Sequence, residues 1–137
     1  MRRVVLIACA SQKLPRPARA HDLYISPLFR YGLTYAESLK PVAIFILSAK
    51  YGLVPLDKKL PPYNETLNTK KDTAIKTWAK KVLRQLGTKT DLKKDEFILL
   101  AGERYRRHLA PYLTHVRIPL QGLGLGRQLQ FLKRALV

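Results

Sequence analysis

The chain has 137 residues, of which 47% are hydrophobic and 26% charged. That length suits one domain with one core, leaves no room for two independent domains, and the composition excludes wholesale disorder. The charge is the unusual feature: 26 Lys and Arg against 9 Asp and Glu give a formal +17, a surplus that calls for a polyanionic partner, of which nucleic acid is the commonest.

The excess is uneven, +6 over residues 1–68 (10 basic, 4 acidic) and +11 over residues 69–137 (16 basic, 5 acidic). The single cysteine, Cys9, cannot form an internal disulfide, and no Cys/His cluster has metal-ligand spacing. A cytoplasmic protein with no metal and no cofactor is expected. Only seven apolar residues, 4–10, follow the basic start, too few to span a bilayer. No membrane association is expected, and self-repulsion at +17 favours a monomer.

Residues 4–10 are a continuous, β-branched-rich apolar run, the pattern of a strand covered on both faces. Residues 11–27 are polar and interrupted by Pro15, Pro17 and Pro27, and read as a long loop. Ser26-Pro27 is a helix-start signature, with Ser at the N-cap and Pro at the first helical position. A helix is predicted over 27–39, with Leu28, Tyr31, Tyr35 and Leu39 on one face. Residues 42–47 form a second apolar strand, followed by a polar cluster, Ser48-Ala-Lys-Tyr-Gly52, and another long loop to Asn68. A second helix spans about 69–86, its stripe made by Ile75, Trp78, Ala79, Val82, Leu83 and Leu86 and its other face by lysines, with Gly87 as C-cap. Residues 97–101 are a third strand, 103–113 a third helix, 116–120 a fourth strand, and Gln121-Gly-Leu-Gly-Leu-Gly126 leads to a last helix ending near Leu136. The alternation predicts an α/β fold: a single three-layer domain with a four-stranded, mainly parallel sheet flanked by helices.

In open α/β sheets ligands bind outside the C-terminal ends of the strands. The four strand exits offer Ser11, Gln12 and Lys13; Ser48, Lys50 and Tyr51; Gly102 and Tyr105; and Gly122. Small residues and lysines there suit phosphate or sugar oxygens. Gly122-x-Gly124-x-Gly126 lacks the dinucleotide-fingerprint spacing, and no Walker A sequence occurs, so the glycines either cradle an anion or only form a tight turn. Lys50 and Tyr51 pair a charge with an aromatic face, or else are a solvated lysine and an edge-covering tyrosine. Tyr63 and Asn64, after Pro61-Pro62, can stack on a base and read its edge, or sit in a surface turn. Asp22 is the only carboxylate of the first loop and can serve as a general base, or cap a turn. Cys9 reads as a core residue, with a reactive thiolate as the alternative. Lys70, Lys71, Lys76, Lys80, Lys81 and Arg84 on or near the second helix, and Arg104, Arg106 and Arg107 on the third, form a phosphate-backbone stripe if those faces adjoin.

Cys9-Ala-Ser-Gln-Lys13, Asp22-Leu-Tyr-x-Ser26, Leu47-Ser-Ala-Lys-Tyr-Gly-Leu-Val54, Pro62-Tyr-Asn-x-Thr-Leu67, Leu100-Ala-Gly-x-x-Tyr105 and Pro119-Leu-x-Gly122 together resemble a family of uncharacterised bacterial and archaeal domains over nearly the whole chain. The Ser-Ala-Lys-Tyr-Gly-Leu piece is also distantly similar to the peroxide-stress protein family and to base-exchange domains of archaeal tRNA-modifying enzymes. The resemblance implies an α/β domain related in plan to uracil-DNA glycosylases, and hence N-glycosidic chemistry on a modified or damaged base, DNA ahead of RNA. In that reading Tyr24 or Tyr63 stacks, Asn64 reads, Asp22 positions water, and Ser11, Ser48 and Lys50 hold flanking phosphates. The Gly-Gln-Asp-Pro-Tyr-type water-activating motif of true uracil-DNA glycosylases is absent after the first strand. A non-catalytic nucleic-acid-binding module and a small-nucleotide N-glycosidase or transferase are the alternatives.

Overall fold

A computed structural model describes residues 1–136. In chain order its elements are β1 (Arg3–Ala8), β2 (Ala18–Arg19), α1 (Ala20–Leu23), α2 (Pro27–Ser38), β3 (Ala43–Ser48), β4 (Gly52–Pro55), β5 (Lys59–Leu60), α3 (Asp72–Gly87), β6 (Glu96–Leu100), α4 (Glu103–Arg106), β7 (His115–Arg117) and α5 (Leu125–Ala135). Single 3-10 turns occupy Leu67–Thr69 and Ala110–Tyr112. Among the described residues no helix is long and apolar enough to cross a membrane.

The apolar runs become strands because alternate side chains of a buried strand need two apolar environments. Val4 and Leu6 of β1, Phe45 and Leu47 of β3, and Phe97 and Leu99 of β6 face one cluster, where α3 contributes Ile75, Trp78, Val82 and Leu86. Val5 and Ile7, Ile46, Ile98 and Leu100 face the other, against Phe29 and Leu33 of α2 and Leu132 of α5. Each large side chain so buried stabilises the fold by about 2 kcal/mol. The result is three layers, with a sheet in the order β4-β3-β1-β6-β7 between α2/α5 and α3/α4.

Strands β3, β1, β6 and β7 are parallel and β4 is antiparallel to β3, so the sheet has five strands where the sequence suggested four. The Ser48-Ala-Lys-Tyr-Gly52 cluster is the turn of a β-hairpin and not the start of a long loop. The buried Ser48 hydroxyl accepts from the backbone N–H groups of Lys50 (3.3 Å) and Tyr51 (3.0 Å), and Gly52 takes φ +78°, a conformation open to glycine. From α3, Gln85 Oε1 accepts from the Leu53 N–H at 2.9 Å and fastens the new edge strand. A small antiparallel ribbon, β2 with β5, joins the two long loops.

Three further boundaries shift for local reasons. The helix expected over 103–113 is one α turn followed by a 3-10 turn, because Pro111 lacks the N–H and clashes with the preceding turn. The last strand stops at Arg117, two residues before Pro119, which cannot donate to a ladder. The second helix starts at Asp72, since Lys70 and Lys71 are extended. Ser26 caps α2 as expected, its Oγ accepting from the Phe29 N–H at 3.3 Å with Pro27 at the first position.

Candidate functional site at the strand ends

The chain leaving β1 crosses through α2 to β3 on one side, and the chain leaving β6 passes through α4 to β7 on the other. Their loops therefore diverge at the C-terminal ends of β1 and β6, the switch point where α/β sheets open a ligand crevice. A crevice of ≈ 490 Å³ lies there. Cys9, Ala10, Ser11 and Gln12 line it from the end of β1, and Gly102, Glu103, Arg104 and Tyr105 from the end of β6. Phe29 of α2, Asn68 of the 3-10 turn and Gln128 of α5 complete the wall.

Tyr105 anchors the β6 side. Its hydroxyl accepts from the Leu67 N–H at 3.3 Å and lies 3.6 Å from Cys9 Sγ, while its ring stands edge-on to Trp78 at 5.7 Å. Burial, reinforced by Cys9, pushes the Tyr105 phenol up to about 12, so it stays neutral at physiological pH. Arg104 clamps the neighbouring loop, donating to the carbonyls of Leu67 (3.1 Å) and Lys70 (2.6 Å).

Beside the crevice runs a chain of hydroxyls. Ser48 Oγ donates to Tyr63 Oη at 2.8 Å, and Tyr63 Oη lies 2.5 Å from Tyr24 Oη. Tyr24 and Ser48 are fully buried, and the Trp78 indole N–H fixes the strand end by donating to the Ser48 carbonyl at 2.8 Å. Burial raises both phenols above their ordinary range, with Cys9 adding to the effect in each. Lys13 covers this cluster, its Nζ 4.4 Å from the Tyr63 ring centre and 5.6 Å from that of Tyr24. A backbone bridge pairs Lys13 with Tyr24, and burial holds the ammonium below its ordinary value, partly opposed by Cys9. The arrangement supplies neutral hydroxyls and a cation, Lys13, held over the faces of Tyr24 and Tyr63.

The structure thus gathers Ser11, Gln12, Gly102, Tyr105 and Arg104 around the crevice, with Lys13, Tyr24, Ser48 and Tyr63 in an adjoining cluster. Tyr51 joins that cluster edge-on to Tyr63 at 5.5 Å, while the exposed Lys50 lies over Tyr51 at 5.4 Å. Asp22 and Asn64 do not line the crevice. Asp22 is exposed on α1 and pairs with His21 at 3.0 Å, and Asn64 is exposed in the loop after Pro62. Gly122, at φ +82°, turns the chain ahead of α5.

The basic stripe is differently used. Arg106 donates to the Ala101 carbonyl at 3.1 Å, and Arg107 is forked onto Glu103 (2.5 and 2.7 Å) while reaching Asp72 at 3.1 Å. Lys70 pairs with Glu65 at 3.7 Å, and Lys71 is the exposed residue ahead of α3. Phe29, Asn68, Glu103 and Gln128 were not singled out in the sequence, and Gln128 carried no signal there because it is one polar residue among several on the amphipathic helix α5. Asn68 follows Leu67, whose N–H reaches Tyr105, a pairing that spans 38 positions. Among the described residues no three His, Cys, Asp or Glu side chains come together as a metal-ligand set.

Comparison with known proteins places residues 4–134 under the model of a family of unknown function, DUF6884. The chain belongs to that family. No curated protein and no solved structure gave a match.

Proposed function

We propose that the protein acts on nucleic acid, taking a single extruded base into the switch-point crevice and cleaving its N-glycosidic bond. The crevice itself carries this reading. Its ≈ 490 Å³ falls within the range of small-molecule sites, and its walls combine two aromatic rings, Phe29 and Tyr105, with three carboxamides, Gln12, Asn68 and Gln128. Rings can stack on a base, and a carboxamide offers a donor and an acceptor to its edge. The mainly parallel sheet between helices opens the strand-end crevice that this reading needs, and +17 supplies the attraction for the phosphate backbone.

In hydrolysis, water would add to the sugar C1′ while the base departs with the electrons of the C–N bond and takes up a proton. Glu103 is the carboxylate on the crevice wall. Its hydrogen bonds from Arg107 hold it below the usual carboxylate range, so it is ionised and can face a developing positive charge on the sugar.

A specific observation favours a second reading, base binding without turnover. Asp22 and Asn64, the residues assigned to water and base in the sequence, lie off the crevice, and Arg107 takes both oxygens of Glu103. Base release from single- and double-stranded oligonucleotides carrying uracil, hypoxanthine, xanthine, or an oxidised or alkylated base separates the two. The informative variant is Gly102→Leu, since a Cβ at this crevice-lining position meets no heavy atom within 4 Å and the backbone there (φ −66°) is open to residues with side chains, so the larger side chain fills the crevice without straining the chain. Release by wild type and its loss in Gly102→Leu supports the glycosidase. Salt-sensitive binding that a free base competes away, without release, supports the binder. Neither release nor binding overturns both. Retained release in Asp22→Ala/Asn64→Ala moves the chemistry to the crevice wall.

A further inference from the structure

Away from the crevice, a groove of ≈ 580 Å³ lies between α3 and the 3-10 turn Ala110–Tyr112. One wall carries Lys76, Lys80 and Arg84, spaced i, i+4, i+8 and so repeating about every 6 Å along the helix. Ala79 and Leu83 form an apolar strip beside them, and His108 and Tyr112 line the opposite side. Tyr112 is 66% exposed, a large aromatic left open beside cations. Lys80 and Arg84 make no ion pair among the described residues, whereas Lys76 and His108 both reach Asp72, at 3.9 and 2.7 Å. Arg104, Arg106 and Arg107 are bonded to carbonyls or carboxylates, whereas Lys80 and Arg84 of α3 have no such partner among the described residues.

We propose that this groove is the track for a single-stranded nucleic acid, with Lys80 and Arg84 on successive phosphates and the Tyr112 ring stacked on a base. A regular row of cations facing an exposed ring is the arrangement by which proteins hold single strands without reading sequence. The groove and the crevice draw on the same stretch of chain. Gly102, Arg104 and Tyr105 line the crevice and His108 and Tyr112 line the groove, so one short segment has its beginning in one site and its end in the other. The inference rests on the nucleic-acid half of the proposed function and adds where the strand lies and which residues grip it.

The test is fluorescence anisotropy of labelled single-stranded DNA and RNA oligonucleotides over a series of KCl concentrations. The Lys80→Gln/Arg84→Gln variant should flatten the slope of log affinity against log salt by about 1.4, at ~0.7 for each single-strand phosphate no longer neutralised. Lys58→Gln/Lys59→Gln, the same charge change on the β2–β5 side, should leave the slope as in wild type. Tyr112→Ala should weaken binding about 5- to 150-fold at fixed salt with the slope unchanged, the loss expected of one stacked base, and Tyr112→Trp should restore it. Thermal melting of every variant checks that the fold is kept. Equal slopes in the two double variants, or no effect of Tyr112→Ala, overturns the groove while the base pocket stands. Loss of base release or of free-base competition in Gly102→Leu, with the slope and the Tyr112 effect intact, supports both sites. A wild type that binds no single strand overturns the groove, and one that also neither binds duplex nor releases a base from it overturns the nucleic-acid reading as well.

Discussion

Replacing Tyr63 by Phe removes one oxygen from the hydroxyl chain and leaves the ring contacts with Tyr24 and Tyr51 in place, at 6.4 and 5.5 Å between centres. That oxygen bonds both Ser48 Oγ and Tyr24 Oη, and both partner residues are fully buried. Each lost hydrogen bond is worth about 0.5–1.5 kcal/mol net, and a buried hydroxyl left without a partner adds its desolvation cost. The sum is about 2–4 kcal/mol. For a domain of this length, ~3–4 °C per kcal/mol translates that into a melting temperature lower by about 6–16 °C. Urea and thermal unfolding followed by circular dichroism measure it, with Tyr51→Phe as the control. The Tyr51 hydroxyl has no hydrogen bond among the described residues, so its loss should change stability by less than about 0.5 kcal/mol. A Tyr63→Phe protein within that margin of wild type would refute the reasoning, because it would mean that water replaces the missing oxygen and the chain is not sealed by burial.

Gly52→Ala should cost about 1–3 kcal/mol in the same unfolding assay: φ is +78°, and the new Cβ would fall 2.5 Å from Gln85 Oε1, the atom that fastens β4. An unchanged stability would show that the hairpin tolerates another turn type. The raised phenols of Tyr24, Tyr63 and Tyr105 make the folded state favour their neutral forms. That stabilisation is complete below the unfolded phenol value of about 10 and is lost as pH rises through the folded values. Ultraviolet titration should therefore show three of the seven tyrosines ionising late and together with alkaline unfolding, and joint ionisation of all seven near pH 10 in a still-folded protein would contradict it. Hydrogen bonding from His108, with Arg107 assisting, lowers the carboxyl of Asp72, and the same sign holds for Asp91, through the Lys93 and Lys94 N–H groups, and for Glu103, through Arg107. Their contribution is present above the unfolded carboxyl values and is lost as pH falls below about 4. Asp72→Asn should shrink that acid-limb loss, and an acid limb identical to wild type would exclude Asp72 as a contributor.

Much of the frame was legible in the residues. Unbroken apolar runs at Val4, Ile44 and Phe97 could only be strands with both faces covered, and Ser26-Pro27 starts a helix through its own hydroxyl and fixed φ. The rule that α/β sheets open at their strand ends grouped Ser11, Gln12, Gly102 and Tyr105, and all four line one crevice. These signals are local, because periodicity and caps act within a few residues.

The remainder depends on contacts between residues far apart in the chain, which no local pattern carries. Gly52 and Pro55 read as loop, yet Gln85 from α3 makes them an edge strand, 32 positions away. Arg104, Arg106 and Arg107 read as free charge until their carbonyl and carboxylate partners are seen. Cys9 meets Tyr105 across 96 positions, and Gln128 of α5 reaches the same crevice as Gln12. Local pattern and counting were enough for the layered α/β frame, the crevice at its strand ends and the size of the positive charge. Only the tertiary structure decided which cations are already partnered, which hydroxyls are linked, and that Asp22 and Asn64 stand apart from the crevice, because these depend on where the packed layers set each side chain in space.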